Sequence, residues 1–148
     1  MIRVTFRSFQ KTLARGFLSV ILVCTAAGQP HDQSNTDAHD AGRRSEVALS
    51  QAETDFDSAR EAYNKGDVEK GDQALEEMTK ALNALLGSLD VAHKARFYKK
   101  AELRVANLQR RMATLLDDIE LPARGWAEQT SRTLEGVHDK LLAGAMRK

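Results

Sequence analysis

Residues 49–89 read LSQAETDFDSAREAYNKGDVEKGDQALEEMTKALNALLGSL. Two apolar series run through this stretch. Leu49, Ala52, Phe56, Ala59 and Tyr63 are spaced 3, 4, 3, 4, and Val68, Gly71, Leu75, Met78, Leu82, Leu85 and Leu89 keep the same alternation. Such spacing places one apolar stripe along one face of a helix, whereas a half-buried strand needs a period of two. Between the series lies Lys65-Gly66-Asp67. Gly66 can take the left-handed conformation that ends a helix, and Asp67 can cap the next one. A link this short forces a tight antiparallel hairpin.

The pattern continues beyond the hairpin. Phe97, Ala101, Val105, Leu108, Met112, Leu115 and Ile119 form a third stripe, and Trp126, Thr130, Leu134, Val137, Leu141 and Ala145 a fourth. The third helix is expected to be the longest, about 28 residues or roughly 40 Å. Gly87 and Ser88 weaken the end of the second helix, so the link over 88–93 is the least defined boundary. Pro122 cannot continue the third helix but suits the first turn of the fourth. No helix here buries its stripe alone. The expected fold is all-α: an up-down-up-down four-helix bundle of amphipathic antiparallel helices. Its alternative is two stacked helical hairpins of the tetratricopeptide type.

Tyr63, Gly66, Asp67 and Val68 lie within AYNKGDVEKG (62–71). This segment resembles the turn of a tetratricopeptide repeat, where a helix ending in Tyr-x-x-Gly-Asp runs into a second helix. The resemblance covers about one hairpin. Gly71 stands where the repeat usually has Ala, and no second copy appears 34 residues on. What it implies is a protein-interaction surface without catalysis. More broadly, the chain resembles exported helical proteins of bacteria.

That comparison rests on the first 28 residues. Arg3, Arg7, Lys11 and Arg15 come first with no acid among them; an apolar run over 16–27 follows, ending in small residues. This is the order of a secretory signal peptide, and the run is shorter than the roughly 20 residues of a membrane span. The expected organisation is a signal peptide over 1–28, a flexible polar linker over 29–42 and a helical domain over 43–148. The expected location is outside the cytoplasm, periplasmic or secreted. Lipidation at Cys24 is disfavoured because Val23, not a small residue, precedes it. Cleavage takes 22 basic residues to 18 against 21 acidic ones, a net charge of about −3. It also removes the single cysteine, leaving no disulfide, thiol nucleophile or thiolate metal site.

Charge distribution is the strongest functional signal in the remainder. Lys94, Arg96, Lys99, Lys100, Arg104, Arg110 and Arg111 crowd into 94–111, opposed only by Glu102. The first hairpin, from Glu46 to Asp90, carries eleven acids against four bases. Two readings follow. The basic run either complements acids on a neighbouring helix and so fixes helix order, or forms a stripe for an anionic membrane surface or cell-wall polymer. Nucleic acid is the weakest partner, since only Phe97 and Tyr98 accompany the bases as stacking aromatics.

Other chemistry finds little support. His31 and His39, with Asp32, Asp37 and Asp40, form a polar cluster in the expected linker, but no His-x-x-x-His spacing makes a helical metal site. His93 and His138 read as residues flanking the stripes. A bundle haem would pair a histidine with Met78 or Met112, and no Cys-x-x-Cys-His is present. The acids Asp117, Asp118 and Glu120 oppose the dipole at the end of the third helix and slightly destabilise it; they read as a solvated helix end, the alternatives being bases of another element nearby or a bound cation. Phosphate loops, a nucleophile elbow and paired catalytic carboxylates are not recognisable. The chain reads as a non-enzymatic exported protein that needs no cofactor or metal. It is expected to bind another protein or act structurally at the envelope. Alternatives are polyanion binding through 94–111 and a small ligand or metal carried in the bundle core.

Overall fold

The computed structural model describes residues 33–147. Among these residues the fold is all-α: four helices packed into a bundle. They are α1 (Gln33–Asn64), α2 (Val68–Ala92), α3 (Ala95–Asp118) and α4 (Gly125–Met146). None is long and apolar enough to cross a membrane. The signal-peptide reading falls on residues outside those described.

The first hairpin closes as its sequence dictates. Gly66 takes a φ of 75°, and the Asp67 side chain accepts the Lys70 backbone N–H at 3.2 Å, capping α2. Tyr63 lays its ring where a Cβ on Gly71 would sit, 2.8 Å from that point. Glycine at 71 is thus what lets α1 and α2 approach. The Tyr63 hydroxyl donates to Asp72 across the same contact.

α1 packs mainly on α2, and α3 on α4; the two hairpins then meet through α1–α3 and α2–α4, with α2–α3 contacts marginal. The helices therefore circle the core in the order α1, α2, α4, α3. Chain neighbours run antiparallel, as Tyr98 on Gly144 and Glu102 beside His138 show for α3 and α4. α1 and α3 run parallel: Gly42 meets Phe97, Glu46 meets Lys100, and Asp57 meets Arg111, so the partners advance together. The bundle is thus two antiparallel hairpins laid side by side.

Heptad spacing sets the core. Leu75, Met78, Leu82, Leu85 and Leu89 of α2 share one core cluster with Val105, Leu108, Met112 and Leu115 of α3, Phe56 and Leu49 of α1 and Leu134 and Leu141 of α4, all essentially inaccessible. Burying each such side chain contributes about 1.5–3 kcal/mol.

Several expectations are corrected. The polar linker expected over 29–42 is helical from Gln33, as the first turns of α1. Its buried face is Ala38, Ala41, Gly42 and Ser45, and Phe97 fills the space over Gly42. α1, at 32 residues, is the longest helix, whereas α3 has 24. Helix α2 passes through Gly87 and Ser88 and ends at His93, in the left-handed conformation with φ 47°. Pro122 lies in a 3-10 turn, Leu121–Ala123, ahead of α4. The stripes of α3 and α4 are shifted by one residue in places: Tyr98, Ala127 and Gly144 are buried, while Trp126 is 37% exposed.

The chain has two tyrosines, and both hydroxyls are held neutral. Burial, and then donation to Asp72, pushes the Tyr63 pKa far above the usual 10; burial and Asp90 push Tyr98 up as well. Each folded pKa thus exceeds its unfolded value, so stability is intact below about pH 10 and falls as pH rises beyond it. Absorbance at 295 nm should show both tyrosines ionising above the usual tyrosine range, with Tyr63 resisting until helix is lost. A separate tyrosine transition near pH 10 with intact helix would contradict these contacts.

Candidate functional site

α3 divides its bases between two directions. One edge faces α1. There Arg104 donates from Nε to Glu53 at 2.9 Å, from Nη1 to Glu46 at 3.2 Å and from Nη2 to Ser50 at 3.3 Å, with a second bond to Glu53. Lys100 reaches Glu46 at 2.8 Å. Arg111 pairs with Asp57 and lies 4.5 Å above the Phe56 ring. Hydrogen bonding to Glu53 raises the Arg104 pKa above its already high ordinary value. Arg104 and Glu53 are each 29% exposed, so solvent screens the pair. Exposed ion pairs contribute about 0.2–1 kcal/mol apiece. The ladder therefore selects the parallel register of α1 against α3 more than it stabilises the fold.

The opposite edge of α3 faces solvent. Arg96, Lys99 and Arg110 project there, beside Leu103, which is 68% exposed. Arg96 stacks over Phe97 at 4.7 Å. Arg96, Lys99 and Arg110 have no ion-pair partner among the described residues. Lys94 occupies the position just before α3, without a side-chain capping bond, and is half-buried. Of the seven bases in the run, three thus join the helices and three form a short outward stripe.

A second surface was not legible as a site. The α1–α2 turn and the α3–α4 link sit at the same end of the bundle, since α1 and α3 run parallel. Leu121 is 77% exposed there, with Val68 at 38% and Trp126 at 37%. A cleft of about 330 Å³ runs between the two links, lined by Tyr63, Val68, Ile119, Glu120 and Ala123 among others. An open groove continues from Val68 to Trp126 between α2 and α4, with Glu69 and Glu76 on its wall. Val68 belongs to both, so the surface is continuous. The signal in the sequence was Leu121, an apolar residue in the proline-bearing link and outside every stripe.

Remaining candidates are placed as follows. His138 Nε2 lies 3.0 Å from Glu102, tying α4 to α3. His39 is exposed on α1, and His31 and Asp32 lie outside the described residues. Among the described residues no three His, Cys, Asp or Glu side chains converge as metal ligands. Met78 and Met112 are packed in the core. Comparison of the chain with known protein families, with curated proteins and with solved structures finds no match.

Proposed function

We propose that this chain is an exported, non-enzymatic helical protein that docks another protein at the cell envelope. The observation that carries the reading is the apolar end of the bundle. Leu121, Val68 and Trp126 stay accessible together at this end, whereas the other exposed large apolar residues, Val47, Val91, Leu103 and Met146, lie on other parts of the bundle. Trp126 lines the open groove between α2 and α4, and an accessible tryptophan is the residue type most often found as an interface anchor. Export is supported by the basic, apolar and small-residue order of residues 1–28.

Capture from envelope extract tests it. Immobilised wild-type protein should retain a defined partner, and Leu121→Ser with Trp126→Ser should reduce that retention at least about tenfold, the loss of one central hot spot. Both residues are exposed, so helix content should not change. Undiminished retention by the double variant would overturn the docking surface.

A second reading rests on the outward stripe of α3. Arg96, Lys99 and Arg110 suit an anionic membrane surface or cell-wall polymer. Binding to vesicles rich in anionic lipid should then be salt-sensitive and drop when all three become Gln. Replacing Lys100, Arg104 and Arg111 would instead loosen α1 from α3, so those residues do not test this reading.

A further inference from the structure

We infer that the apolar end of the bundle takes a basic amphipathic segment of its partner, a helix carrying Lys or Arg beside apolar residues. This rests on the docking surface proposed above and adds the chemistry of its occupant.

Charge around the surface carries the inference. Between 117 and 128 four acids (Asp117, Asp118, Glu120 and Glu128) accompany one base, Arg124. That base is turned inward, its Nε donating to the Ile119 carbonyl at 2.8 Å. The lysines across the link are occupied, Lys65 by Glu61 and Lys70 by Asp67. Asp117, Asp118 and Glu120 therefore have no ion-pair partner among the described residues.

Folding accounts for some acids at this end and not for others. Glu69 and Glu128 lie in the first turns of α2 and α4, where the helix dipole favours them. Asp117 and Asp118 close the last turn of α3, where the dipole disfavours them, by about 0.3–1 kcal/mol each. Glu120 and the 77%-exposed Leu121 follow directly. Acids that weaken their own helix and find no local base, beside an exposed leucine and tryptophan, complement a ligand that is cationic and apolar together. An amphipathic basic helix supplies both at i, i+3 and i+4 spacing. Acidic lipid is excluded as occupant by the sign of the charge, and the attraction steers encounter in a salt-dependent way.

Trp126 is the single tryptophan of the chain and sits in the surface, so its emission reports binding directly. The purified protein is titrated with helical peptides built from Leu-Lys-Lys-Leu, Leu-Gln-Gln-Leu or Leu-Glu-Glu-Leu repeats. The lysine peptide should shift Trp126 emission to the blue in a saturable, salt-sensitive manner. Its affinity should fall about tenfold or more in the Asp117→Asn, Asp118→Asn, Glu120→Gln protein, the loss expected for removing several facing charges. That variant relieves the dipole conflict, so it should fold at least as stably as wild type. The glutamate peptide should leave the emission unchanged.

If the glutamine peptide binds as tightly as the lysine peptide, or if the neutralised variant keeps full affinity, cation selection is overturned while docking at this end stands. If no peptide shifts the emission, the basic occupant is overturned and the docking surface is judged by the capture experiment alone. If the emission changes with protein concentration alone and sedimentation shows a dimer that the neutralised variant loses, the occupant is a second copy, and the inference fails.

Discussion

Replacing Phe56 by alanine is expected to cost about 3–5 kcal/mol of folding free energy, the range for truncating a fully buried phenylalanine. Phe56 is the largest fully buried side chain and sits among the contacts that join all four helices. Its loss opens a cavity that leucines held by heptad packing cannot fill without leaving their rotamers. Arg111 would also lose the ring beneath its guanidinium. For a domain of this size the change corresponds to about 10–20 °C in Tm. Thermal and denaturant unfolding followed by circular dichroism measure it. A cost under about 1 kcal/mol would mean that Phe56 is not at the centre of the core.

A glycine contrast inside α4 gives the second large effect. Gly136 is exposed, with nothing within 4 Å of a Cβ placed on it, whereas a Cβ on Gly144 would fall 2.1 Å from Tyr98 Cδ1. Tyr98 is buried and its hydroxyl is anchored to Asp90 at 3.0 Å, so the ring cannot retreat without losing that bond. Gly136→Ala should therefore stabilise the protein by up to about 1 kcal/mol through helix propensity. The same residue type replaced by leucine at 144 should destabilise it at or beyond the upper end of the ~1–3 kcal/mol seen for overpacking. Opposite signs from two glycines eight residues apart in one helix would establish that Tyr98 packs on α4. Equal, small effects would contradict the α3–α4 register.

These glycines also mark how far the sequence could be read. Where the stripe was made of large residues, as in α2 from Leu75 to Leu89, spacing alone identified the helix and its buried face. It misled wherever a small residue was buried because the partner helix supplies the bulk. Gly144 lies under Tyr98 and Ala127 is buried beside Trp126, so spacing alone puts the neighbouring Ala145 and the bulkier Trp126 in the core. For the same reason the first turns of α1, with Ala38, Ala41 and Gly42 inward, read as a polar linker. Burial of small residues depends on what faces them, and periodicity carries no record of that.

The basic run was partly legible. Its opposition to an acidic first hairpin predicted helix complementarity, and Lys100, Arg104 and Arg111 form that complement in the structure. Which bases face α1 and which face solvent depends on the order of helices around the core. Short links between successive helices do not specify whether α3 neighbours α1 or lies diagonally across from it. The surface at Leu121 and Trp126 was hidden for a different reason: the up-down-up-down order already brings both links to one end, but the spacing placed Trp126 in a buried stripe and carries no measure of how exposed either residue is. The dipole conflict at Asp117 and Asp118 could be read from sequence, but not that their surroundings leave it unrelieved.

The partner-binding surface proposed for this protein is the apolar, acidic end of the bundle and not the outward face of α3. Site-specific photo-crosslinking in intact cells tests it most directly, with a photoreactive phenylalanine placed in turn at Leu121, Trp126, Lys99 and Leu103. All four positions are exposed, so none disturbs the core. A discrete protein adduct is expected from positions 121 and 126 and none from 99 and 103. Adducts formed from 99 and 103 alone would place the partner on α3 and contradict it.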